Sequence, residues 1–211
     1  MRKLGLMVLL FAIQGTATGE EFPVVGGCTL KPHTECPGAD LSGQDLSNMD
    51  LTGADFNGAN FRGTDLRHAV LKNANLRKAD FTGANLSRAD LRHANARVAT
   101  FDNASMQALK GWAMFAQVAS FKNADLTGAN LEFARVAKAR FHDATLQAAS
   151  LEMVWAPKTD FLGANLRDAN LQETKFYDAN LKDADMTGAR KHFAIFQDAY
   201  MENCKGCPLD W

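Results

Sequence analysis

The residues in this chain that could do chemistry recur at fixed intervals. Asp40, Asp45, Asp50 and Asp55 stand five residues apart, and Asp or Asn continues in that slot along the chain. Paired carboxylates can act as general acid and base, but only when different surroundings drive their pKa values apart at one cleft. A carboxylate repeated in one slot meets the same surroundings every time, and its short side chain then serves to satisfy the backbone N–H groups of a turn. The five histidines, His33, His68, His93, His142 and His192, are spaced so that none joins another His, Asp or Glu as a metal-binding set. Cys204-Lys205-Gly206-Cys207 has the spacing of a redox CxxC or of half a zinc site. No βαβ pattern surrounds it and no second Cys/His pair follows at zinc spacing. A structural disulfide is the favoured reading, with intermolecular, redox and metal roles as alternatives. Phosphate-binding glycine loops, nucleophile elbows and dinucleotide fingerprints do not occur. The expectation is a non-enzymatic protein with no catalytic residue, metal or cofactor.

The elements that position these residues follow from the same interval. From Leu41 to Met201 every fifth residue is mostly Leu, Phe or Met, and Ala usually stands two residues before it. Ala54-Asp55-Phe56-Asn57-Gly58 and Ala124-Asp125-Leu126-Thr127-Gly128 show the unit. A period of five fits neither a helix at 3.6 nor a strand at 2, so the chain must turn every five residues. The motif A(D/N)LxG, running over residues 39–201, resembles the pentapeptide-repeat family. The resemblance implies an all-β fold: a right-handed quadrilateral parallel β-helix, four pentapeptides per coil, with Leu/Phe and Ala pointing inward. It also implies one candidate role, since some members of that family mimic duplex DNA and act on topoisomerases.

Four fives should produce a second period of twenty, and they do. Phe61, Phe81, Phe101, Phe121, Phe141 and Phe161 form one interior column. Two residues after each stands Gly, Asn or Asp, types that tolerate the positive φ of a tight corner. The fourth wall is thin, with Ala96, Ala116, Val136 and Ala156 in successive coils. Larger residues stand beside the gaps: Met114 and Val154 replace the usual Ala, and Leu109 does so before Gly111. Local repacking is expected, the alternative being that residues 104–120 loop out. About 165 repeat residues give a rod of about eight coils, about 40 Å long at ~4.8 Å per coil.

At the N-terminus, Met1-Arg2-Lys3, an apolar run from Leu4 to Ile13 and the small residues up to Gly19 read as a secretory signal peptide cut before Glu20. The run is too short to span a bilayer, so no stable membrane insertion is expected after cleavage. The reading is 1–19 signal peptide, 20–38 N-terminal cap, 39–203 β-helix and 204–211 C-terminal cap, in a periplasmic or extracellular protein. An oxidising compartment preserves disulfides, and a rod with one cysteine pair at each end favours 28–36 and 204–207 among the three possible pairings.

Two surface features remain. Arg62, Arg67, Lys72 and Arg77 ring one coil, and Arg88, Arg92 and Arg97 extend the band. It could hold an anionic glycan, a lipid headgroup or an acidic protein, although Asp65, Asp80 and Asp90 interrupt it and favour a salt-bridged, solvated surface. The second feature is apolar. Trp112, Met114 and Phe115, then Phe133, then Met153 and Trp155, then Phe193 and Ile195 fall between the third and fourth walls, interrupted by Arg135, Glu173 and Lys175. These residues either form a protein-binding or homodimer surface or fold inward over the thin wall. With 23 Lys+Arg against 24 Asp+Glu the net charge is -1, which offers no field to collect nucleic acid and no acidic surface to imitate it. The expected function is an exported scaffold that binds a protein, or itself, through the apolar edge. A topoisomerase-directed DNA mimic is the alternative, disfavoured by export and charge.

Overall fold

A computed structural model describes residues 22–208. The segment read as a signal peptide lies outside them. One pentapeptide shows how the chain folds. Leu51 points inward, Thr52 and Gly53 form a turn, and the Ala54 N–H donates to the Leu51 carbonyl at 3.1 Å. Gly53 has φ +66°, the positive value that a type II turn requires at its third position. The sequence predicts this conformation at one corner of each coil, whereas the structure adopts it at all four. Every fifth residue from His33 to Asn203 has positive φ, because each pentapeptide must turn in the same way to close a square.

Each unit hangs on its neighbours through main-chain hydrogen bonds. Leu51 and Gly53 donate to Val70 and Lys72 in the next coil at 2.8 and 2.7 Å, and Asp55 donates back to Thr34 at 2.8 Å. Parallel bridge partners twenty residues apart run from Glu35↔Asp55 to Asp185↔Lys205. Each side of the square contributes a single ladder residue per coil, too short for a conventional strand. Among the described residues the only strands are β1 (Val24–Val25) and β2 (Cys28–Thr29), an antiparallel hairpin. Gly26 and Gly27, with φ +56° and +78°, make its turn.

The interior is apolar and layered. From Phe61 to Phe161 the rings stack 4.5 to 5.0 Å apart and within 10° of parallel. Free aromatic pairs favour offset or edge-on contacts; here the coil spacing imposes the stack. Leu109, Met114 and Val154 are fully buried. A Cβ on Gly111 would come within 2.8 Å of the Leu131 side chain and 3.5 Å of Leu109, so the larger neighbour has taken the missing volume. The Phe101 N–H reaches the Ser120 carbonyl at 2.7 Å, so residues 104–120 stay in the coil. Thr64, Thr159 and Thr174, buried in the alanine slot, donate to the carbonyls of Leu41, Val136 and Leu151 at 2.6 to 2.8 Å.

The cysteines pair as Cys28–Cys36 and Cys204–Cys207. The ladder begins at Glu35 and reaches Lys205, so Cys36 is itself an inward residue of the first repeat, and each bridge ties a terminal repeat to the chain that flanks it, Cys28 in β2 at one end and Cys207 at the other. Lys191 occupies an inward slot near the C-terminal end, and its ammonium donates to the Gly206 carbonyl at 2.6 Å.

Candidate binding face

The carboxylate series is committed to the backbone. The N–H groups of Ser42, Ser47, Thr52 and Asn57 donate to Asp40, Asp45, Asp50 and Asp55 at 2.9 to 3.1 Å. Hydrogen bonds from the Ser42 hydroxyl and N–H hold the Asp40 carboxyl below the ordinary range, and those of Thr52 do the same for Asp50. At Asp125 burial pushes the pKa up, but Thr127 and Gln107 more than reverse it. Among the described residues no group of three His, Cys, Asp or Glu side chains is placed to hold a metal ion.

The basic band is partly neutralised. Arg62 pairs with Asp80, Arg67 with Asp65 and Arg92 with Asp90, at 2.9, 2.5 and 2.6 Å. Burial raises the Asp90 carboxyl, and Arg92 with Lys110 outweighs it and leaves the group lowered. Lys72 and Arg92 join Lys110, His93, Asn73, Asn130 and Trp112 around an open depression of about 720 Å³. Arg97 does not line this depression and lies over the Phe115 ring at 4.9 Å. Arg77 and Arg88 do not line it.

The apolar edge is a face of the square. Its central outward column runs Asn95, Phe115, Arg135, Trp155, Lys175, Ile195, each the bridge partner of the next. Apolar and cationic residues alternate from Phe115 onward. Phe115 is half-buried between Arg97 and Arg135, with Arg135 at 5.6 Å from its ring. Trp155 is 47% exposed and leans on Tyr177 at 5.7 Å between ring centres. Trp112 contacts Phe133 at 5.4 Å and His93 edge-on at 4.9 Å. Phe133, Met153 and Trp155 line a depression of about 500 Å³ with Gln117, Arg135 and Ala137. The buried Gln117 Oε1 has no hydrogen-bond partner.

Met114 is the exception among the residues assigned to this edge. It is fully buried in the alanine slot, filling the thin wall beside Ala116, so it supports the face and does not belong to it. Ile195 is half-buried, and Phe193 at 68% is the most exposed apolar side chain on the face. Val98, Val118 and Tyr177 extend the same surface and were not picked out from the sequence. Val98 and Val118 are exposed corner residues of the fourth wall. A step of twenty back from Lys138 would have found both.

Residue type at the positive-φ corners sets this face apart, since bulky apolar side chains occupy several of them. Val98, Val118, Phe133, Met153 and Phe193 all lie at positive φ, between 56° and 62° except Val118 at 64°. That region disfavours bulky and β-branched side chains. Gly, Asn or Asp fills many equivalent corners elsewhere in the rod, so exposed bulk here costs both solvation and backbone energy.

The sequence model of the family described as pentapeptide repeats matches eight copies, over residues 35–73, 69–107, 124–161 and 158–188. Among solved structures, the chain is similar to HetL, a pentapeptide repeat protein involved in heterocyst differentiation regulation from the cyanobacterium Nostoc sp. strain PCC 7120. That pair shares 27% identity over 80% of this chain and 87% of the other, with a TM-score of 0.44. A trypsin-treated form of QnrB1, a plasmid-mediated fluoroquinolone resistance protein, aligns at 19% identity over 75% and 84% of the two chains, with a TM-score of 0.52. A pentapeptide repeat protein from the Arabidopsis thaliana thylakoid lumen shares 31% identity over 50% of this chain and 70% of its own, with a TM-score of 0.32. A comparison with curated proteins finds no significant match. The repeat, its four-sided coil and the matched residues together show that this chain belongs to the pentapeptide-repeat family, whose members fold as right-handed quadrilateral β-helices and are generally structural or binding proteins.

Proposed function

We propose that this protein is an exported, non-enzymatic scaffold whose fourth face binds protein. The observation that carries the reading is the placement of Phe133, Met153 and Phe193: large, exposed, and held in a backbone conformation that Asn or Gly would occupy at lower cost. Selection for stability alone would remove such residues, and retained strain of this kind clusters at functional surfaces. The aromatics lie beside a shallow depression within a polar and charged rim, the composition of a recognition surface. Export rests on the N-terminal pattern and on two disulfides, which an oxidising compartment preserves.

Phe133→Asp with Trp155→Asp tests the binding reading. Asp suits the corner at φ 59° better than Phe does, so the variant should fold with an unchanged circular dichroism spectrum and lose association. Association retained by a folded variant would reject the face. Amino-terminal sequencing of protein from the exported fraction should begin at Glu20. A DNA-mimic reading needs a continuous acidic face, and the Arg62–Asp80, Arg67–Asp65 and Arg92–Asp90 pairs interrupt the surface instead.

A further inference from the structure

We infer that the occupant of the fourth face is a second copy of this chain, docked antiparallel with its two-fold axis level with the gap between the coils of Arg135 and Trp155. The inference rests on the protein-binding reading above. It follows from the order of the central column: Asn95, Phe115, Arg135, Trp155, Lys175, Ile195.

A face meeting its own copy can align in a few ways. If the rods run parallel, each column residue faces itself, so Arg135 opposes Arg135 and Lys175 opposes Lys175. If they run antiparallel with the axis level with Trp155, Arg135 opposes Lys175. Both arrangements place like charges together in a desolvated centre, which costs affinity. An axis midway between the Arg135 and Trp155 coils shifts the alternation by one coil. Arg135 then faces Trp155 of the second copy, and Lys175 faces Phe115, so each cation meets an aromatic ring. Arg135 already lies near the Phe115 ring of its own chain, which shows that its side chain reaches over this surface.

The corners follow the same operator. Phe133 faces Met153, a sulfur–aromatic contact, and the two line the same depression. Gln117, whose buried Oε1 lacks a partner, faces Tyr177. Arg97 faces Gln197 and lies near Asp198, which stands opposite Val98. Lys138 and Lys158 oppose each other at the exposed fourth corner, where water and salt screen them. Because the operator is two-fold, every contact occurs twice, and the contact closes without forming a fibre.

The test is register-specific. Analytical ultracentrifugation of the full mature chain should show a monomer–dimer equilibrium that Arg135→Glu with Lys175→Glu weakens on the order of tenfold or more while the circular dichroism spectrum stays unchanged. Asn95→Cys and Ile195→Cys chains, purified separately and mixed under mild oxidation, should cross-link to each other, since those positions face across the axis at the two ends of the column. Neither should cross-link to itself, because its own copy lies about five coils, or ~24 Å, away. A chain that stays monomeric at high concentration overturns the inference. So does self-cross-linking of Asn95→Cys, which would mark a parallel pair. If the wild type is monomeric while Phe133→Asp with Trp155→Asp abolishes capture of a different protein, the inference fails and the protein-binding reading stands.

Discussion

A valine at a left-handed corner shows at the residue scale how far this chain departs from its own rule. Val118 is 48% exposed at φ 64°, where it suffers the Cβ clash that makes this region unfavourable. Val118→Asn should raise the unfolding free energy by about 1 kcal/mol, measured by urea denaturation, while reducing any association the face supports. The carboxylates make a second residue-scale prediction. Asp40 and Asp50 have lowered pKa values through hydrogen bonds to the following Ser and Thr, and Asp125 has one despite its burial. A lowered folded pKa contributes stability above the unfolded value of about 3.9 and loses it as pH falls further. The thermal midpoint should therefore be level down to about pH 4 and fall below it. Because the leading stabilising causes at Asp40 are hydrogen bonds, added salt should change that profile little. The structural role of Asp was legible from its fixed slot. The orientation of Phe115, pinned between Arg97 and Arg135, was not, since residues 97, 115 and 135 meet only through stacking of coils.

At the scale of the element, one pentapeptide is a turn plus a ladder residue, and it has no stability of its own. Its inward volume is shared between the central residue and the one two places before it. The Leu109/Gly111 pair shows the consequence. Restoring the common repeat by Gly111→Leu should destabilise the protein by roughly 1–3 kcal/mol, because even a Cβ there meets Leu131 at 2.8 Å. Adding Leu109→Ala should recover most of that loss, and thermal unfolding of the single and double variants checks the coupling. The sequence showed that Leu109, Met114 and Val154 could fill the thin wall, because their excess volume stands next to the deficit. It also led to Met114 being counted on the outer edge, because proximity to Trp112 and Phe115 in sequence says nothing about direction. The five-residue register decides direction, and it sends Met114 inward.

The whole molecule is a stack in which each coil contacts only its neighbours, so its weak points are the ends. The two disulfides sit there, each tying a terminal repeat to the chain that flanks it. Reducing Cys28–Cys36, which closes a loop of sequence separation 8, should cost about 2–3 kcal/mol. It should also increase self-association through the opened end, measurable by calorimetry and light scattering with and without reductant. No loss of stability and no gain in association would reject the capping role. By itself the sequence determined the coil: the five- and twenty-residue periods name the inward residues, the corners and the Phe column, because a strictly repeating backbone converts sequence position directly into spatial position. It could not determine which charges cover which rings or that Trp155 leans on Tyr177. Those contacts join side chains about one coil apart in sequence, and only the tertiary structure brings them together.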